Sequence, residues 1–228
     1  MSSKAETGLR RAVIDTARRM NALGINQGTS GNVSVRWKKG LLVTPSGVPY
    51  ERLEPESIVY LKMDGSHEGD LLPSSEWRFH RDILDARPDI GAVVHTHSAF
   101  ATTLACLGRG IPAFHYMVAA AGGPDIRCAP YATFGTQGLS DHALAALDGR
   151  AACLLANHGQ IATGPTLDKA LALAVEVETL AGMYWRALQV GEPTILDPEE
   201  MAIVLEKFRS YGKQPRGAPR IKRKGKKG

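Results

Sequence analysis

Cysteine is scarce and scattered in this chain. Cys106, Cys128 and Cys153 are the only three; no CxxC pair exists, which leaves neither a disulfide framework nor a thiolate zinc knuckle. No run approaches the ~20 uninterrupted apolar residues that a bilayer requires. The first twenty residues scatter charges along a helical pattern and lack the apolar block of a secretion signal, so a cytoplasmic chain without membrane contact is expected. Neither GxxxxGK[ST] nor GxGxxG occurs, which argues against nucleotide binding. Acid is missing from one segment, "KQPRGAPRIKRKGKKG" at residues 213–228, which carries eight of the 28 basic residues, so that 20 remain against 23 acidic ones elsewhere. The net charge of +5 is therefore a property of the tail. That tail reads as a disordered, solvated end, with adventitious polyanion binding as a second reading and no specific nucleic-acid partner.

What is present is ordinary globular material. The 228 residues, 43% hydrophobic and 22% charged, fit one domain over residues 1–212 followed by the tail at 213–228. Leu9, Val13, Ala17, Met20 and Leu23 recur at helical spacing before Gly24, which predicts an N-terminal helix. "VSVRW", "GLLVTPS" and "SIVYLKMDG" read as strands. "SSEWRFHRDILDARPD" is expected to be a helix from Ser74 or Ser75, ended by Pro88. A helix is expected through "FATTLACLG", then a loop-rich stretch from Ile111 to Gly138, then a short helix with Ser140 as its N-cap. "RAACLLANHGQIATG" reads as a strand, an interruption at a site and a return. Two more helices close the pattern, the last with Asp197 as cap and Pro198 at its first position. Strands interleaved with helices imply an α/β domain, its sheet covered on both faces.

"GAVVHTHSAF", residues 91–100, carries the chemistry. In a strand, residues i and i+2 face the same way, so His95 and His97 make half a metal site. His158, in "ANHGQ", also follows an apolar strand. Three neutral imidazoles with an open fourth position are an arrangement that zinc uses in catalysis. His67, His80, His115 and His142 lack paired spacing. "PSSEWRFH" adds a carboxylate, Glu76, near a helix start, where Ser74 and Ser75 suit either a phosphate or plain capping. "GTSGNVS" and "TPSGVP" could likewise cradle an anion on glycine and hydroxyl groups, or be only turns.

Taken in order, "NQGTSGNVSVR", "TPSGVPY", "LPSSEWRFH", "AVVHTHS", "IPAFHYMVAAAGG", "APYATFGT" and "NHG" resemble the class II aldolase/adducin family over residues 10–212. The resemblance implies a single three-layer α/β domain with a mainly antiparallel central sheet flanked by helices. It also implies one Zn2+ per subunit, held by Glu76, His95, His97 and His158. A substrate phosphate would be bound by Gly31, Asn32, Ser46, Gly47, Ser74 and Ser75, with Glu76 and Tyr116 catalytic. Members with this pattern are cytoplasmic homotetramers whose sites lie between subunits; Phe134 and Tyr211 match positions bordering a neighbour's site. Two positions depart from the pattern: Ser46 stands where threonine is familiar, and Asn157 replaces a histidine beside the last ligand.

The implied activity is cleavage of a ketose 1-phosphate (L-fuculose 1-phosphate, or 5-deoxyribulose or 5-methylthioribulose 1-phosphate) to dihydroxyacetone phosphate and an aldehyde. Metal acts there as Lewis acid for the enediolate. A lysine Schiff base is the alternative, but the lysines before the tail sit in polar turns or on helix faces, not in the apolar pocket such chemistry needs. Rival readings on the same scaffold are a pentulose-phosphate 4-epimerase, a methylthioribulose-1-phosphate dehydratase and a non-catalytic adducin-like binding head.

Overall fold

The computed structural model describes residues 3–210; Tyr211 and the basic tail lie outside the described residues. Helix α1 (Lys4–Ala22) is capped by Ser3, whose hydroxyl accepts from the Glu6 N–H, and buries Val13, Ala17 and Met20 of the predicted spacing together with Ile14, while Leu23 lies past its end and is 52% exposed. Strands β1 (Asn32–Trp37), β2 (Gly40–Val43), β3 (Val59–Lys62) and β4 (His67–Glu68) follow, then α2 (Trp77–Ala86), β5 (Ala92–Thr96), α3 (Ala99–Cys106), a 3-10 turn (Tyr116–Ala121), β6 (Cys128–Ala129), α4 (Gln137–Ala146), β7 (Ala152–Leu155), β8 (Gly159–Gly164), α5 (Leu167–Val190) and α6 (Pro198–Phe208).

The eight strands form one sheet in the order β4-β3-β2-β1-β5-β8-β7-β6. Every pairing is antiparallel except β6 with β7. Alternation along the strands supplies two cores. Val33, Val35, Val94 and Ala162 face the layer containing Val13, Leu104 and Val177 from α1, α3 and α5. Val93, Ile161, Cys153 and Leu155 face the other layer, with Phe79, Ile83 and Leu84 from α2 and Ala143 from α4. Each such large aliphatic side chain contributes about 1.5–3 kcal/mol by leaving water. The sheet covered on both faces is the three-layer architecture expected.

Two local expectations are corrected. Helix α2 begins at Trp77, not at Ser74 or Ser75, because the Trp77 N–H turns back to the Ser74 carbonyl; the serines form the turn before the helix. Ser140 lies inside α4, and the cap is Thr136, whose hydroxyl accepts from the Leu139 N–H. The Ser140 hydroxyl donates instead to Asp82 of α2 at 2.6 Å, pinning the two helices together. The stretch from Ile111 to Gly138 holds the 3-10 turn and β6 within its loops.

Backbone proximity sets one residue near the centre of the sheet. A Cβ on Gly31 would lie 2.5 Å from the His95 carbonyl oxygen and 2.7 Å from Asn26 Oδ1, and the Gly31 carbonyl accepts the buried Tyr50 hydroxyl. Gly31→Ala is therefore expected to overpack this junction and lower stability by about 1–3 kcal/mol, read as a shift of the urea midpoint at unchanged slope.

Candidate metal centre

Register puts the ligands where they are. His95, the fourth residue of β5, stands opposite Asn32 on β1 and Ile161 on β8. Its Nδ1 lies 2.8 Å from the Gln160 carbonyl; a carbonyl only accepts, so Nδ1 carries the proton and Nε2 presents a lone pair. His97 follows the end of the strand, its N–H donating to Asn26 Oδ1 at 3.3 Å. Phe100 and Ala101 in the first turn of α3 donate their N–H groups to the two carboxylate oxygens of Glu178 on α5, each at 2.9 Å, which fixes the path leading away from His97. His158 comes from the tight β7–β8 turn, made possible by Asn157 at φ 56°, a left-handed conformation that asparagine tolerates better than most residues. That conformation gives the unfamiliar Asn157 a local reason.

Glu76 immediately precedes α2 but caps nothing. Its side chain turns inward, 5% exposed, with Oε2 3.2 Å from His95 Nε2 and Oε1 3.1 Å from His158 Nε2. The Nε2 atoms of His95 and His97 are 3.0 Å apart. One ligating atom from each of Glu76, His95, His97 and His158 lies within 4.8 Å of the other three, and the three rings stand nearly perpendicular, at 74–80° with centroids 4.8–4.9 Å apart. Glu76 Oε1 is buried without a hydrogen-bond partner, with His158 Nε2 3.1 Å away. An orphaned carboxylate oxygen among lone-pair nitrogens is what a divalent cation would satisfy, and an N3O donor set suits a borderline transition metal. The residues therefore fit the metal that the sequence implied.

The electrostatics agree. Burial works to raise the Glu76 carboxyl, but the His95 and His158 imidazoles outweigh it and hold the group well below the usual carboxylate range. Burial pushes His97 down to about 4, and the neighbouring His95 and His158 act in the same direction. Its imidazole is thus neutral, as a ligand must be, at neutral pH.

The centre opens into a cleft of about 360 Å3 lined by Thr29, Ser30, Ser75, Tyr131, Ala132, Phe134 and Asn157 around Glu76, His97 and His158. Both hydroxyl groups and aromatic rings line it. Gly135, at φ +73° and with space for no side chain beside the Ser75 carbonyl, brings the aromatic segment against the serine turn; Arg78 donates to the Gly135 carbonyl at 2.6 Å.

The three loops expected to bind phosphate are stitched together. Ser74 N–H donates to the Thr44 carbonyl, Ser46 N–H to the Leu72 carbonyl, and Val33 N–H to the Thr44 hydroxyl. Of the six residues, Ser75 lines the cleft. Ser46 and Gly47 sit on an exposed turn, Ser74 uses its hydroxyl to accept the Glu76 N–H at 3.3 Å, and Gly31 is fixed by close packing. Asn32 is 4% exposed and donates its amide to Glu76 Oε2 at 2.9 Å. Phe134, expected beside a neighbour's site, lines the cleft of its own chain. Tyr116 does not: it is 48% exposed and lines a separate groove of about 610 Å3 with Phe114, His115, Leu196 and Phe208.

Sequence reasoning passed over His80. It is fully buried, its Nε2 2.5 Å from Asn32 Oδ1 and its Nδ1 2.7 Å from Ser34 Oγ. The available signal was the i,i+4 spacing from Glu76, which puts both residues over one side of the same helix.

Fold and site together define a metal-centre protein of the α/β three-layer type: histidines at the ends of inner strands, a carboxylate at a helix start and a polar cleft above them. The chain belongs to the class II aldolase and adducin family, whose N-terminal-domain model matches residues 11–185. It is 63% identical over 204 residues to a 5-methylthioribulose-1-phosphate/5-deoxyribulose-1-phosphate aldolase of Rhodospirillum rubrum, covering 90% of this chain and 92% of that one. It is 54% identical to the L-fuculose phosphate aldolase of Escherichia coli K12, covering 90% and 95%. A solved L-fuculose 1-phosphate aldolase superposes with a TM-score of 0.87 at 40% identity, covering 92% of this chain and 98% of that one.

Acid should unfold the metal-free protein early. Burial, with a smaller contribution from the neighbouring His95 and against the pull of Glu76, lowers His80 to about 3 from 6.5. The unfolded chain then binds more protons through this window, so stability is complete above pH 6.5 and declines toward pH 3, by as much as ~4–5 kcal/mol. The depressed Glu76 acts in the same direction at lower pH. Urea midpoints should fall steadily from pH 7 to pH 4; a flat profile would contradict a neutral buried His80.

Proposed function

We propose that this protein is a zinc-dependent aldolase that splits a ketose 1-phosphate, with one zinc per subunit, into dihydroxyacetone phosphate and an aldehyde. The observation that carries the reading is the convergence of Glu76, His95, His97 and His158 to within 4.8 Å at the floor of a polar cleft, in a chain of this family. When bound, the metal supplies a Lewis acid for the negative charge left by breaking the C3–C4 bond. The chain's own residues do the rest. Glu76 moves the proton to and from the carbon that loses its partner, using Oε1, the oxygen without a donor. Backbone N–H and hydroxyl groups at Ser46, Gly47, Ser74 and Ser75, with Gly31 and Asn32, orient the phosphate. Hydroxyl groups at Thr29 and Ser30 face the sugar, and Tyr131, Ala132 and Phe134 exclude water from the aldehyde end.

Tyr116 serves the departing aldehyde oxygen from a neighbouring subunit of a homotetramer, and Tyr211 borders the same shared site. Its position outside its own chain's cleft supports that arrangement. Residues 1–212 are the catalytic unit, the basic tail is an appendage, and the protein works in the cytoplasm; among the described residues no helix is long and apolar enough to cross a membrane.

Among substrates, 63% identity to the methylthioribulose/deoxyribulose enzyme against 54% to the fuculose enzyme, together with the aromatic rings in the cleft lining, favours the 5-deoxy and 5-methylthio ribulose 1-phosphates. Incubating the zinc-loaded protein with each of the three sugar phosphates and measuring dihydroxyacetone phosphate should give fastest release from these two. A 4-epimerase would release no free triose phosphate, and a dehydratase would form water with the carbon chain intact. Thorough chelation should abolish release, and a protein fully active after it would end the metal reading.

Glu76→Gln is expected to cut turnover by about 10²–10⁴-fold while zinc content falls only partly; near-normal turnover would remove Glu76 from proton transfer. Glu76→Gln and Tyr116→Phe proteins, inactive apart, should regain activity at about a quarter of the sites after mixed reassembly, if each site combines both chains of a cyclic assembly.

A further inference from the structure

We propose that Ser34, His80 and Asn32 form a buried chain of hydrogen bonds with a fixed donor direction, and that His80 is thereby a positioning residue for the carboxylate of Glu76. The proposal rests on the reading of Glu76 as a metal ligand.

Direction follows from chemistry at one end. An ionised carboxylate only accepts, so the 2.9 Å contact between Asn32 and Glu76 Oε2 requires Asn32 to turn its NH2 toward it. The amide oxygen then faces His80 Nε2 at 2.5 Å and can only accept, so Nε2 carries the ring proton. A neutral ring has no second one; Nδ1 is a lone pair and accepts the Ser34 hydroxyl at 2.7 Å. Each member has one role left to it: Ser34 donates to His80, His80 to Asn32, and Asn32 to Glu76.

Position supports the same conclusion. Asn32 and Ser34 are alternate residues of β1, 4% and 0% exposed, and His80 above them is 0% exposed. No bulk water is present to replace a lost partner, so an unpaired amide or imidazole here carries the full cost of burial. His80 also packs its ring on Phe79, with centroids 4.6 Å apart, and Phe79 meets the His95 ring edge-on at 5.4 Å. Any buried imidazole needs such partners; what sets this one apart is that its acceptor, Asn32, is itself the donor to Glu76. A hydrogen-bonded chain ending on a metal-facing carboxylate keeps Oε2 aimed and leaves Oε1 free.

The test uses three readouts on the full-length protein. In 15N-histidine NMR of the zinc-loaded protein at neutral pH, His80 should show a protonated Nε2 and an unprotonated Nδ1; the opposite tautomer, or an imidazolium, overturns the proposal. Competition with a chromophoric chelator should show zinc affinity of His80→Leu reduced by about 10–100-fold, and of His80→Gln, which keeps a donor near the Nε2 position, reduced much less. Ser34→Ala, which leaves His80 and Asn32 in place, should show an intermediate loss. Zinc affinity in His80→Leu within twofold of wild type, or His80→Gln no better than His80→Leu, overturns it. In sugar-phosphate cleavage, kcat of His80→Leu should fall by a similar factor, with His80→Gln restoring most of it, because the Glu76 carboxylate is no longer held in place. Should His80→Leu fail to fold, His80→Gln, Ser34→Ala and the NMR tautomer decide. Should wild-type protein cleave none of the three sugars, the proposed reaction falls while the NMR and zinc readouts still judge this chain of bonds.

Discussion

Everything at the centre of this molecule follows from burying one carboxylate. Glu76 is 5% exposed, and an ionised carboxylate taken out of water costs several kcal/mol unless other groups replace its hydration. The chain surrounds it with imidazoles from three separate positions and an amide from a fourth, and leaves one oxygen without a donor. Such a site is incomplete as protein alone. A divalent cation at the meeting point would satisfy the orphaned oxygen and the lone pairs together, so metal binding and the stability of this region are coupled.

The sheet is the ruler that makes the convergence possible. Antiparallel pairing of β1 with β5 sets Asn32 opposite His95, and pairing of β5 with β8 brings the Gln160 carbonyl within 2.8 Å of the His95 ring. A slip of one residue would turn His95 to the opposite face and present valine to the metal. Register is therefore part of the chemistry. The two hydrophobic layers hold it, since the same slip would also move Val93 and Ile161 out of one core and Val94 and Ala162 out of the other.

Above the centre the cleft mixes two chemistries, the hydroxyls of Thr29, Ser30 and Ser75 and the rings of Tyr131 and Phe134. A molecule with an anionic, oxygen-rich end and a less polar tail finds both kinds of partner in that lining. Tyr131 and Phe134 are 61% and 65% exposed, so these rings stand at the open part of the cleft. The groove around Tyr116 is a distinct surface.

Much was legible in the sequence because short-range rules govern it. The α1 spacing, the strand–turn–strand around "NHG", the Asp197 cap and the HxH pair all express local periodicity or capping, and the chain folds accordingly. The corrected details lie where a nonlocal bond overrides a local preference: Ser140 has the chemistry of a cap, but Asp82 claims its hydroxyl. Which of several histidines matter was only half visible. His95, His97 and His158 advertise themselves at strand ends, whereas His80 looks like any helical histidine until β1 is laid beneath it. The residue types alone determined that histidine and carboxylate, not thiolate, would hold any metal. The tertiary structure alone decided that Asn32 faces Glu76 and His80, and that Tyr116 stands outside its own cleft, because direction and distance between residues far apart in sequence are set by register and packing.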